Sequence, residues 1–188
     1  MTLHLKPGHI YRTRDFGKLS ANAPRLAKRL AIKGEILRVG PGLFLYPKRT
    51  KFGPVPAKDE ELIEAFLGGK DFLFSGPEHW NALRLGTTQL FADALVYNNK
   101  RSGTFALGGK KYRLRRVRFP RKPSAEWFVV DLFENGEGTD RGPEELATAL
   151  TSALRQHRFE PTRLRRMAHS YGTKATRQLI DSAIAAAR

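Results

Sequence analysis

Residues 22–48, NAPRLAKRLAIKGEILRVGPGLFLYPK, decide the reading of this chain. The first part carries helix punctuation. Ser20 or Asn22 can cap it, and Pro24 suits the first turn, where a missing N–H needs no helical partner. Gly34 suits the end. At 100° per residue, Ala23, Leu26, Ala27 and Leu30 fall on one arc. Arg25, Lys28, Arg29 and Lys33 fall on the opposite arc, with Asn22 beside them. One face packs and the other is cationic. After Gly34, residues 36–39 and 43–46 read as two short strands around Gly40-Pro41-Gly42. The pattern predicts a basic helix feeding directly into a β-hairpin.

Upstream, residues 13–19 read as a short helix capped by Thr13, and the turn Ser20-Ala21-Asn22 that follows is brief. That is a helix-turn-helix spacing. With the hairpin as a wing, the order predicts a winged helix-turn-helix whose second helix enters the DNA major groove. The candidate DNA contacts are Asn22, Arg25, Lys28, Arg29, Lys33 and Arg38, then Lys48, Arg49 and Lys51 in the segment that follows. Arg25 and Arg29, central on the cationic face, are the candidate base readers. Lys48, Arg49 and Lys51 are candidate phosphate contacts. A small helical domain with a merely solvated basic face would show the same charges.

The charge is large and uneven. The 188 residues hold 34 Lys+Arg against 18 Asp+Glu, a formal net charge of +16. Such a balance favours an anionic partner, above all nucleic acid. Residues 1–53 hold 12 basic and 2 acidic side chains, and residues 109–123 hold 8 basic and none acidic. Residues 124–152 reverse the sign, with 1 basic and 7 acidic. The Pro/Gly/Lys-rich residues 48–59 read as a linker. Two domains are therefore expected: 1–53, the winged helix-turn-helix, and 54–188. No apolar run is long enough to span a bilayer, and MTLHLKPGHI has no signal-peptide core. The absence of cysteine excludes disulfides and Cys-zinc sites and suits a cytoplasmic protein.

Beyond the linker the expected elements are a helix over 57–67, a strand over 72–74 and a helix over 77–85. A strand at 95–97 follows, then a hairpin of 104–107 and 111–119 around Gly108-Gly109, with a bulge near Arg115-Arg116. Residues 127–133, WFVVDLF, read as a central buried strand. Helices are expected over 143–157, 161–171 and 173–187. The fold class is α+β: a winged helix-turn-helix, then a domain with a small sheet and a helical tail.

Chemistry finds little footing. His4, His9, His79, His157 and His169 are scattered without metal-ligand spacing. The acidic set Asp131, Glu134, Glu137, Asp140, Glu144 and Glu145 lies mostly in a loop and a helix first turn, where acids favour the helix dipole. No lysine accompanies Asp131 and Glu134 on their strand as a nuclease would want, and no serine sits in a GxSxG context. Neither an enzyme nor a cofactor or metal site is expected. The basic run KKYRLRRVRFPRK, with Arg113, Arg115, Arg116 and Arg118, reads as a solvated edge, a nucleic-acid contact or a docking surface. Arg163, Arg165 and Arg166 carry the same three readings.

The runs IYRTRDF, ANAPRLAKRLAIKGEILRVGPGLFLYPK and FSGPEHWNALRLGTT together resemble the AbiEi-type antitoxins of bacterial abortive-infection (type IV) toxin–antitoxin systems. The matching positions are Asp15, Phe16, Leu26, Leu30, Gly34, Ile36, Arg38, Gly42 and Phe44. Gly76, Ala82, Leu83 and Gly86 follow, with Thr87 where the pattern has leucine. The likeness covers roughly the first 90 residues well, and the tail only by order of elements. Fewer residues precede His9 than members with a full first helix have. The resemblance implies a transcriptional autorepressor that binds inverted repeats in its own promoter. It also implies a C-terminal domain that neutralises a nucleotidyltransferase-like toxin. On that footing Arg113, Arg115, Arg116, Arg118, Arg163, Arg165 and Arg166 are the candidate partner contacts. A plain transcription regulator with a dimerising or ligand-sensing second domain, and an RNA-binding protein, are the other classes the sequence admits.

Overall fold

The structure, a computed structural model, describes residues 5–87, 93–136 and 140–188. His4 and Glu137 of the candidates above lie outside them. In chain order the elements are β1 (His9–Arg12), a 3-10 turn (Thr13–Lys18), α1 (Ala23–Ile32), β2 (Leu37–Gly40), β3 (Leu43–Tyr46), β4 (Arg49–Thr50), β5 (Gly53–Pro54) and α2 (Asp59–Leu67). There follow β6 (Phe72–Ser75), α3 (Pro77–Ala82), β7 (Ala94–Asn98), β8 (Gly103–Leu107), β9 (Lys110–Arg116), α4 (Ala125–Asn135), α5 (Pro143–Arg155), α6 (Pro161–Tyr171) and α7 (Lys174–Ala186). The fold is mixed α+β, with four helices in its C-terminal region.

The chain forms two compact units. The first comprises Met1–Phe72 and Lys100–Leu114, the second Leu73–Asn99 and Arg115–Arg188. Residues 54–72 and the β8–β9 hairpin thus share a unit with residues 1–53.

In the first unit, β1, β3 and β2 form an antiparallel sheet in that order. His9 stands opposite Tyr46 and Arg12 opposite Leu43. The central strand β3 buries Leu43, Phe44 and Leu45. Phe16, Leu26, Ala27, Leu30, Ile36 and Phe44 form one apolar cluster, in which Phe16 meets Phe44 edge to face at 5.8 Å. The Asn22 side chain accepts the Arg25 backbone N–H at 3.1 Å and so caps α1. Thr13 does not cap the preceding turn. It already lies inside that turn, and its hydroxyl donates to the Gly42 carbonyl at 3.4 Å. Asp15 takes up the turn's opening by accepting the Arg12 backbone N–H at 2.7 Å.

Residues 48–59 are not simply a linker. The strands β4 and β5 pair Arg49 with Pro54 and Thr50 with Gly53. The Thr50 hydroxyl closes the tip by donating to the Gly53 carbonyl at 3.0 Å and accepting the Phe52 N–H at 3.2 Å. The β8–β9 hairpin is fastened to the first unit at several points. Gly108 N–H donates to the Val39 carbonyl at 2.7 Å, and Lys110 and Tyr112 each donate to Asp59, both at 2.8 Å. The register of β8 with β9 is unbroken from Lys110 to Leu114, which stops short of the expected bulge, and β9 ends at Arg116. Just past β9, the Val117 N–H donates to the Asn98 carbonyl of β7 at 3.3 Å.

The second unit has one large apolar cluster, built from Trp80, Leu95 and Tyr97 with the inner faces of α4 to α7. Residues 127–133 are not a strand. They belong to α4, whose cap is the Ser124 hydroxyl accepting the Trp127 N–H at 3.4 Å. Trp127, Val129, Val130, Asp131 and Leu132 are all buried, so the segment shows no polar stripe at helical spacing. Its β-branched and aromatic residues mimic strand composition for that reason.

Candidate nucleic-acid interface

The cap on α1 fixes where its cationic side chains project. Leu26, Ala27 and Leu30 are buried, while Arg25, Lys28, Arg29 and Lys33 are exposed. Five of the predicted contacts, Asn22, Arg25, Lys28, Arg29 and Lys33, line one shallow depression with Ile32. Ile32, 77% exposed, was not foreseen as part of this face. Its signal was legible: residues 25, 29 and 32 stand at i, i+4 and i+7. Asn22 has a structural duty as the cap, so its carbonyl oxygen is already engaged.

Arg38 is exposed on β2. Lys48 packs its aliphatic stem along Gly8, where an added Cβ would meet Lys48 Cε at 3.1 Å. Arg49 donates from Nη2 to the Gly34 carbonyl at 2.6 Å, just past the end of α1. Arg49 therefore ties the β4–β5 hairpin to that helix end. Lys51 sits with its ammonium 5.0 Å from the Phe52 ring centre. Phe52, at the hairpin tip, is 89% exposed. Arg12, a cation of the same unit, is committed elsewhere. Its Nε donates to the Ala65 carbonyl at 2.6 Å.

The predicted partner contacts are divided between the two units. Arg113 belongs to the first unit, and Arg115, Arg116, Arg118, Arg163, Arg165 and Arg166 to the second. Arg165 pairs with Asp181 at 2.9 Å, and Arg163 faces Glu126 at 3.9 Å. Arg116, Arg118 and Arg166 are exposed. Arg115 donates to the Asn135 side-chain oxygen at 2.5 Å, and Asn135 in turn donates to Asp131 at 2.8 Å.

Asp131 is the polar node of the second unit, and it is only 4% exposed. Tyr97 donates to Oδ1 at 2.7 Å, Trp80 Nε1 to Oδ2 at 2.9 Å, and Ser75 to Oδ2 as well. Burial pushes the carboxyl above the usual range, and the hydrogen bonds from Ser75, Tyr97, Trp80 and Asn135 only partly offset it. Burial, then the nearby Asp131 charge, pushes the Tyr97 hydroxyl upward, so it stays a neutral donor. Beside this node is a cavity of about 480 Å³ lined by Arg115, Arg118, Trp127, Glu134 and Tyr171 among others.

No protein-family model matches the chain, and no curated protein matches it. Among the described residues no group of three or more His, Asp or Glu side chains is placed to hold a metal ion. No helix among them is long and apolar enough to cross a membrane. His79 stacks on Phe128 at 4.5 Å and His9 meets Tyr11 edge to face at 4.8 Å, which are packing roles. The positions that carry the antitoxin resemblance are mostly core and turn: Phe16, Leu26, Leu30, Ile36 and Phe44 pack together, and Gly34 and Gly42 take positive φ.

Proposed function

We propose that the chain is a DNA-binding autorepressor of the antitoxin type. Its first unit works as a winged helix-turn-helix, with α1 in the major groove of a promoter inverted repeat and the β2–β3 hairpin as the wing. The remainder neutralises a nucleotidyltransferase-like toxin. The observation that carries the DNA reading is the capped helix α1. Its apolar side is buried, its outward side holds Arg25, Lys28, Arg29 and Lys33, and it leads straight into the antiparallel hairpin. The three-stranded order β1–β3–β2 supports the winged arrangement. The toxin half rests on the sequence resemblance.

The test is a fluorescence-anisotropy titration of the full chain against duplex DNA from its own upstream region and against a scrambled duplex. Binding should fall with salt with a log–log slope of about −0.9 per neutralised phosphate. Arg25→Ala should cost roughly 1–3 kcal/mol on the upstream duplex and far less on the scrambled one. Equal losses on both would assign Arg25 to phosphate. No binding to either duplex at low salt would overturn the reading. Neutralisation is tested separately, by asking whether the chain rescues cells expressing the toxin-like product of a neighbouring gene.

The cavity beside Asp131 favours a second reading, a regulator with a ligand-sensing second unit. Its volume falls within the few-hundred to thousand Å³ range of small-molecule sites. Binding to the upstream duplex without rescue of toxin-expressing cells would leave that reading in possession.

A further inference from the structure

An exposed phenylalanine on a basic hairpin calls for an occupant. Phe52 is 89% exposed at the tip of β4–β5, and Lys51 lies over its ring. A single exposed apolar side chain is ordinary on a protein surface, and what marks this one is its place among cations at the tip of an ordered turn. The hairpin is closed by the Thr50 hydroxyl on both sides of the tip, so Phe52 is presented on an ordered turn. Its base is held by Arg49 on the Gly34 carbonyl, beside the helix end that carries Arg29, Ile32 and Lys33.

We infer that Phe52 is a wedge that enters a base step of duplex DNA next to the segment held by α1, while Lys51 and Lys48 neutralise the flanking phosphates. The inference rests on the DNA-binding reading and adds a second point of contact to it. Charge decides the occupant. Residues 48–53 contain Lys48, Arg49 and Lys51 and no acid, which suits a polyanion and repels a basic protein surface. Apolar wedges of this kind partly unstack a step and kink the duplex, and pyrimidine–purine steps such as TA yield most easily. The ring needs no rearrangement to reach out, because its apolar surface is already in water.

The experiment uses the full chain and a 30-bp TA-rich duplex with 2-aminopurine at the central TA steps. Anisotropy reports binding, and 2-aminopurine fluorescence reports unstacking. Wild type should bind and raise the fluorescence at least about twofold. Phe52→Ala should bind about fivefold or more weakly and give no rise even at saturation, whereas Phe52→Leu should keep part of the rise. Both variants should melt like wild type, since the side chain is exposed. Wild-type binding without a rise, or an equal rise with Phe52→Ala, would overturn the wedge and leave the DNA reading intact. No binding by wild type would overturn both. Unchanged DNA behaviour with lost toxin rescue in Phe52→Ala would assign the ring to a protein partner and overturn the wedge.

Discussion

Asp131 and Asp59 show how two carboxylates in one chain come to have opposite responses to acid. Asp59 is partly exposed. Burial raises its pKa, but hydrogen bonds from Lys110 and Tyr112 and the Lys110 charge outweigh that and hold it below the usual range. Its contribution to stability is present above the ordinary carboxylate pKa and fades as pH falls through the lowered value. Asp131 has only neutral donors against it and is buried, so its pKa is raised. Its contribution is fullest below the unfolded pKa and fades as pH rises through the folded value. Asp131→Asn should destabilise at every pH, because an amide presents a donor where two donors already converge. The gap between wild type and Asp131→Asn, read by urea denaturation, should shrink from pH 4 to pH 7. A gap that grows over that range would show Asp131 to be stabilised as the anion. Sequence reading weighed Asp131 only as a metal or nuclease residue. An aspartate inside WFVVDLF carried the better signal, since a buried acid needs donors, but those donors come from positions 75, 80 and 97.

Among the elements, those that bury one side only were legible, and those that bury all sides were not. Helix α1 has a clean apolar arc, a cap and a closing glycine, and it lies where the spacing placed it. Helix α4 has none of that contrast, and its residue types imitate a strand. Short β4 and β5 escaped because two-residue strands leave no alternation to read. The β2–β3 hairpin shows a further constraint that spacing could not reveal. A Cβ on Gly40 would lie 2.6 Å from Leu107 Cδ2, and Leu107 is fully buried. Gly40→Ala should therefore cost about 1–3 kcal/mol by overpacking, visible as a lowered thermal midpoint. A smaller loss from Gly40→Ala in a Leu107→Ala background than in the otherwise wild-type chain would confirm the contact, and an unchanged midpoint for Gly40→Ala alone would refute it.

At the scale of the whole molecule, the charge blocks suggested a boundary near residue 53, and charge is a surface property. Compactness follows apolar contacts instead. Helix α2 joins residues 1–53 through the Arg12 guanidinium on the Ala65 carbonyl, the β8–β9 hairpin joins them through the Gly108 N–H on the Val39 carbonyl, and the two elements hold each other through Phe66 on Phe105 at 4.8 Å and the Asp59 bonds. Residues 1–53 alone lack these. That fragment should show no cooperative melt by circular dichroism, whereas the full chain should show one. A cooperative melt of the fragment at the full chain's midpoint would mean the hairpin adds nothing to the first unit.

The first unit is interrupted in sequence, closing only when Lys100–Leu114 joins Met1–Phe72. A ribosome delivers the chain in order. Leu114 is made 42 residues after Phe72, roughly 2–8 s later at about 5–20 residues per second. For that interval the basic helix has been synthesised while Leu62, which packs at the Gly108 turn, waits without its cover. The unit that carries α1 is thus completed only after a delay written into the order of its segments, and a nascent chain stalled before residue 100 would display the cations without the completed body behind them.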